Sequence, residues 1–158
     1  MSERWTVYCD GGCAGNPGPA GFGVVVLPPG GGTVENSGYF GHGTNQVAEL
    51  TAAIQGLQMT PPGAQVLLLS DSQYTLKGIA EWRAGWQRKG MKTAAGKPVA
   101  NAQLWMQLWV LADERRVTTC WVKGHSGDRH NERCDALAAH AIRSRPDSSS
   151  PPPRQPKR

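Results

Sequence analysis

Trp5-Thr6-Val7-Tyr8-Cys9-Asp10-Gly11-Gly12-Cys13-Ala14-Gly15-Asn16-Pro17-Gly18-Pro19 decides how the rest of the chain is read. Its first five residues are β-branched, aromatic or small, which suits a half-buried strand. The glycines and prolines after them supply turn conformations. Reading outward, Phe22 to Leu27 forms a second strand, Pro28-Pro29-Gly30-Gly31-Gly32 a turn, and Thr33 to Gly41 a third strand. Three strands joined by short turns predict an antiparallel meander. Asn45 then suits the N-cap of a helix to Met59, with Val47, Leu50, Ala53, Ile54 and Leu57 in its apolar stripe. Pro61-Pro62-Gly63 ends it, and Gln65 to Leu69 is a short strand expected to be buried on both faces. Residues 72–81 predict a helix, and residues 82–100 a basic, glycine-interrupted segment. Asn101 to Ala112 predicts a helix, Val117 to Val122 a fifth strand and Asn131 to Ile142 a last helix. Strands separated by helices need crossovers, so the last two should run parallel to the first, with right-handed connections. The expected fold class is therefore α/β: one domain with a five-stranded mixed sheet, three strands antiparallel and two parallel, flanked by helices.

A chain of 158 residues is long enough to bury roughly 70% of the surface its unfolded form exposes. It needs no disulfides. Cys9, Cys13, Cys120 and Cys134 contain no Cys-x-x-Cys pair, which argues against a zinc knuckle or a redox motif and for free thiols, buried or partly buried. Met1-Ser2-Glu3-Arg4-Trp5 has no apolar core of a signal peptide, and no apolar run approaches a membrane span. A reducing cytoplasm and a monomer are the expectations. The net charge of +5 is unevenly placed. Residues 77–97 hold Lys77, Arg83, Arg88, Lys89, Lys92 and Lys97 against Glu81 alone, and residues 143–158 hold five cations against Asp147. A basic lobe beside a more acidic remainder points to a polyanionic partner and a carboxylate site.

The carboxylates are placed to meet. Asp10 is expected to close the first strand and Asp71 the fourth. Parallel neighbours would put both at one sheet edge, outside the carboxyl ends of the strands, where α/β proteins bind ligands. Glu49 lies beside the stripe of the first helix and Asp135 beside that of the last. Taken singly, these two suit solvated boundary acids, and Asp10 and Asp71 suit strand-end or cap roles. Taken together, four acids at one edge would repel one another unless a cation is present, and oxygen ligands suit Mg²⁺ or Mn²⁺.

Five stretches resemble the motifs of type 1 ribonuclease H. They are Tyr8–Gly21, Thr44-Asn45-Gln46-Val47-Ala48-Glu49-Leu50, Ser70-Asp71-Ser72-Gln73-Tyr74, Trp121-Val122-Lys123-Gly124-His125-Ser126-Gly127 and Asn131-Glu132-Arg133-Cys134-Asp135. They occur in the family's order from residue 5 to about 142. The resemblance implies an endonuclease that hydrolyses the RNA strand of an RNA–DNA hybrid, leaving 5′-phosphate and 3′-hydroxyl ends. It implies that Asp10, Glu49, Asp71 and Asp135 hold two Mg²⁺ ions, with Mn²⁺ a possible substitute and Asp10 bridging. His125 matches a histidine that assists proton transfer or product release. Residues 1–143 would be the catalytic domain, with a basic handle at about 77–100, and 144–158 a disordered Pro/Ser-rich tail.

By the same resemblance, Asn16, Asn45, Gln46 and Gln73, with the backbone at Gly12 and Cys13, would read the 2′-hydroxyl of RNA. Turn and cap chemistry accounts equally well for Asn16 and Asn45. Thr44 and Asn101 match residues that hold a DNA phosphate, and Trp82 an aromatic against deoxyribose. Arg88, Lys89 and Lys92 fall in the handle, which otherwise reads as a solvated basic face with Trp82 and Trp86 in a satellite core. His42 lies near the phosphate motif. Gln46-Val47 departs from the Asn-Arg of many bacterial members, and the basic tail has no counterpart in the family core. The rival readings are a hybrid-binding module without catalysis, or another nuclease on the same fold.

Overall fold

The computed structural model describes residues 3–124 and 127–145. His125 and all but the first two residues of the 144–158 segment lie outside them. Five strands, β1 (Arg4–Cys13), β2 (Gly18–Leu27), β3 (Val34–Gly43), β4 (Gln65–Ser70) and β5 (Arg116–Trp121), form one sheet in the order β3-β2-β1-β4-β5. β1, β2 and β3 are antiparallel; β4 and β5 run parallel to β1. This is the mixed sheet expected from the pattern. The helices are α1 (Asn45–Gln58), α2 (Gln73–Lys77), α3 (Arg83–Arg88), α4 (Ala102–Asp113) and α5 (Arg129–Arg143). Among the described residues no helix is long and apolar enough to cross a membrane.

The core lies between the sheet and α1 and α4. Val7, Val24, Val66 and Leu68 from the strands meet Leu50, Leu57, Trp105 and Leu108, all fully buried. Each such side chain contributes about 1.5–3 kcal/mol through burial. Arg115 is buried as well, with Nε donating to Thr60 Oγ1 and a terminal nitrogen to the Thr60 carbonyl, so it ties the end of α4 to the end of α1 without an unpaired charge.

Several boundaries differ from the sequence reading, each for an identifiable reason. β1 does not end at Asp10: its pairing with β2 continues from Gly11↔Phe22 to Cys13↔Ala20. The cross-strand ladder overrides the weak β-propensity of glycine. The N-cap of α1 is Thr44, whose Oγ1 accepts from the Val47 N–H at 3.1 Å. Leu67 in β4 is half-buried rather than buried. Cys120 is exposed and Cys13 half-exposed, while Cys9 and Cys134 are buried.

The largest difference is the handle. The helix expected over 72–81 runs on through Arg88, because α2 passes through a π-helical turn (Gly78–Trp82) into α3. A π-turn adds a residue to one turn and so rotates the next stretch of helix. Here the rotation turns Trp82 and Trp86 toward the body. Trp86 lies 5.4 Å from Trp105 and 5.6 Å from Trp82, and Trp109 stacks on Trp105 at 5.9 Å. Trp109 Nε1 donates to the Gly78 carbonyl at 3.2 Å. Arg83 lies over the Trp109 ring and binds Asp113 through two 2.6 Å contacts.

A methyl group on Gly78 would fall 1.9 Å from the Trp105 ring, which is fully buried. Helix propensity alone favours Gly78→Ala by about 1 kcal/mol. The clash should outweigh it, with a net loss of about 2 kcal/mol in urea unfolding. Gly30→Ala, in open space, should stay within about 0.5 kcal/mol of the parent. A stabilised Gly78→Ala protein would mean that Trp105 is free to move.

Candidate active site

Asp10 sits inside β1, opposite Gly23 of β2, and is 6% exposed. Its position follows from close packing on both faces of the sheet. A Cβ on Gly11 would lie 2.2 Å from the Ala48 carbonyl and 2.5 Å from Glu49 N. Only glycine lets α1 approach β1 this closely, and the approach carries the Glu49 carboxylate to Asp10. The Gly11 N–H donates to Glu49 Oε1. On the opposite face a Cβ on Gly23 would meet the Cys134 carbonyl at 2.2 Å, so α5 also lies against the strands, one residue before Asp135.

Asp71 follows β4 in a short turn held by serines. Ser70 Oγ accepts from Ser72 N at 3.0 Å, and Ser72 Oγ caps α2 by accepting from Thr75 N at 3.2 Å. Trp121 Nε1 donates to the Asp71 carbonyl at 3.1 Å. Carboxylate oxygens of Asp10, Glu49 and Asp71 come within 4.8 Å of one another. Asp135 is exposed and outside this triad, yet close enough to raise the pKa of Asp10.

Burial pushes the Asp10 carboxyl far above its ordinary range, and the neighbouring charges of Glu49, Asp71 and Asp135 add to the shift. Burial also raises Glu49, with Asp71 adding to it and the Gly11 N–H opposing it. Three crowded carboxyl groups offer oxygen donors that could hold a hard cation, whose charge would replace those protons. An all-oxygen donor set fits Mg²⁺ or Mn²⁺ and does not favour softer metals.

The residues expected to read nucleic acid fall into separate groups. Cys13, Asn16 and Asn45 come together: Asn45 N donates to Asn16 Oδ1 at 3.1 Å, and Cys13 Sγ lies 3.0 Å from Asn45 Oδ1. Gly12 faces open space beside them, and Gln46 is exposed in the first turn of α1. Gln73 is exposed at the start of α2. Thr44 caps α1. Asn101 caps α4 in the left-handed region, φ 61°, and donates to Tyr74 Oη at 3.3 Å. His42 is exposed in β3. Trp82, Arg88, Lys89 and Lys92 line one handle groove of about 460 Å³. His125 is outside the described residues. Sequence reasoning missed Trp121 as a partner of Asp71 and missed the Arg83–Asp113 pair; neither carries a local signal, because both contacts span the fold.

The family model for RNase H matches residues 2–143. A ribonuclease H of Pseudomonas putida (strain W619) is 46% identical over 144 residues, covering 90% of this chain and 95% of that one. Among solved structures, LC9-RNase H1, described as a type 1 RNase H with the type 2 active-site motif, superposes with a TM-score of 0.80 at 27% identity, covering 94% of this chain and 76% of that one. LC11-RNase H1, solved in complex with RNA/DNA hybrid, gives 0.65 at 27% identity, covering 88% and 96%.

The raised carboxyls set the sign of a stability effect. The folded chain holds protons that the unfolded chain releases above about pH 4, so their contribution to stability falls as pH rises from there toward the raised values. In metal-free buffer at pH 8, Asp10→Asn should therefore stabilise the protein, by at least about 1 kcal/mol. The gain should shrink at pH 5, because holding the Asp10 proton there costs little relative to an unfolded carboxyl that titrates near about 4. Thermal unfolding in EDTA at both pH values checks this; a variant less stable than the parent at pH 8 would show that the cluster is not repulsive.

Proposed function

The chain belongs to the type 1 ribonuclease H family of metal-dependent hydrolases, and from that premise we propose that it cuts the RNA strand of RNA–DNA hybrids internally, leaving 5′-phosphate and 3′-hydroxyl ends. The observation that carries this reading is the convergence of Asp10, Glu49 and Asp71 at one sheet edge. Asp135 stands at the rim to complete a set of four ligands for two Mg²⁺ ions, with Asp10 between the others. When bound, such a pair supplies an activated water and charge neutralisation at the leaving 3′-oxygen.

The chain's own residues position and select. The amide group at Asn16, Asn45 and Gln46, with the backbone of Gly12 and Cys13, offers donors and acceptors to the 2′-hydroxyls that distinguish RNA from DNA. Gln73 offers another on the far side of Asp71. Thr44 and Asn101 serve a phosphate of the DNA strand, and Trp82 packs against its sugars. Arg88, Lys89 and Lys92 add phosphate contacts, so affinity falls with salt. His125 supplies a group that exchanges a proton near neutrality. Bound cations neutralise the carboxylate edge, which makes catalysis metal-dependent, while the amide and handle contacts hold a hybrid without them. A cytoplasmic monomer, with a tail beyond 143 that has no catalytic part, completes the proposal.

An end-labelled RNA should be cut when paired to DNA and not when paired to RNA or single-stranded. Cutting should require Mg²⁺, stop in EDTA, and fall at least about 1,000-fold in Asp10→Asn, the order expected when charge stabilisation of the transition state is removed. Tight hybrid binding without cutting would favour a binding module. Equal cutting of all three RNAs would favour a broader nuclease.

A further inference from the structure

Beside the carboxylate cluster, a second groove of about 390 Å³ runs between α2 and the edge strand β5. Gln73, Leu76, Lys77 and Glu81 line one wall, Thr119 and Trp121 the other. Trp121 is 49% exposed, yet the orientation of its ring is fixed, because Nε1 donates to the carbonyl of Asp71. A half-exposed, oriented indole next to a metal-binding carboxylate has no role in the core, and the nuclease chemistry above does not use it.

We propose that this groove is a subsite for one unpaired nucleotide of the RNA strand, just beyond the paired segment, with its base stacked on Trp121 and its phosphate at Lys77. The inference rests on the hybrid-cleaving reading and extends it. The groove is continuous with that site through Gln73 and Asp71, so a strand lying on the carboxylate edge can pass along β5. An indole face accepts any base, and such stacking is a main source of single-strand affinity. Lys77 is exposed and forms no ion pair among the described residues, so its charge is available to a phosphate. Thr119 and Gln73 offer a hydroxyl and an amide to the base edge or 2′-hydroxyl. Glu81, two helical turns from Gln73, repels a second phosphate and limits the subsite to one nucleotide. A paired base is already stacked within its duplex and does not reach the indole.

The test measures Kd of the full chain in EDTA, where the probe is not cut, for a blunt hybrid and for the same hybrid carrying unpaired uridines on the 5′ or the 3′ end of its RNA. One overhang, not both, should tighten binding about 5- to 10-fold. The blunt-to-overhang ratio within each variant cancels effects on the hybrid itself. That ratio should fall to about 1 in Trp121→Ala or when the first unpaired nucleotide is abasic, and should largely survive in Trp121→Phe, which keeps a ring but not the N–H. Lys77→Gln should lower the salt slope of overhang binding by about one. Equal Kd values for blunt and both overhangs would overturn the proposal, as would a gain that persists without the base or without the ring. If the parent fails to bind blunt hybrid, the hybrid reading itself has failed. Tetrauridine then becomes the probe, and binding that is absent or indifferent to Trp121→Ala overturns the groove assignment independently.

Discussion

Residue 11 has no side chain, and α1 occupies the space one would fill. The ideal Cβ position collides with the backbone of Ala48 and Glu49, so the helix and the strand touch through main chain. That contact does two things at once. It closes the sheet against Leu50, Ile54 and Leu57, and it forces a carboxylate on α1 into the company of a carboxylate on β1. The matching contact at Gly23 brings α5 against the other face of the strands. The acids are thus held together by the packing of the fold, with the repulsion between them as its cost.

That cost is tolerable because of where it falls. Asp10 is buried, but it lies at the end of a core whose interior is apolar and fully packed. Native proteins retain only some 5–15 kcal/mol of net stability, so the packed core has only a small margin from which to absorb the crowding of these acids. The Gly11 N–H, donated to Glu49, offsets part of it. The remainder is energy that a bound cation would release, which would couple metal binding to stability in the residues proposed to serve the chemistry.

Much of this was legible in the sequence. The strand pattern gave the mixed sheet and its order of elements, and the spacing of Asp10 and Asp71 at the ends of apolar runs placed both at one edge. Glu49 and Asp135 stand out in the sequence as acids beside apolar stripes. The illegible features all depend on contacts distant in sequence. The continuation of β1 through Gly11 and Gly12 depends on the ladder to Phe22 and Gly21, which outweighs local propensity. The π-turn at Gly78 depends on Trp105 and Trp109, about thirty residues away. The partnership of Trp121 with Asp71 spans 50 positions. Local pattern specifies the elements; only the assembled fold specifies which side chain aims at which backbone group.

The two working parts of the molecule are built to different tolerances for that reason. The carboxylate edge is made of strands and a helix in main-chain contact, and small displacements there would change the separation of charges directly. The handle is attached differently. The π-turn sets its direction, the Trp82–Trp86–Trp105–Trp109 ring cluster supplies its apolar footing, and the Arg83–Asp113 pair over Trp109 fixes its far side. Exposed ion pairs contribute at most about 1 kcal/mol, so the rings carry the attachment and the pair refines its angle. Under the proposed function the handle would meet a duplex backbone, whose repeated charge asks for that lesser precision. The metal-bound phosphodiester of the proposed reaction would not repeat, and the sheet edge proposed to receive it is held by main-chain contacts at Gly11 and Gly23 that leave no room for a Cβ.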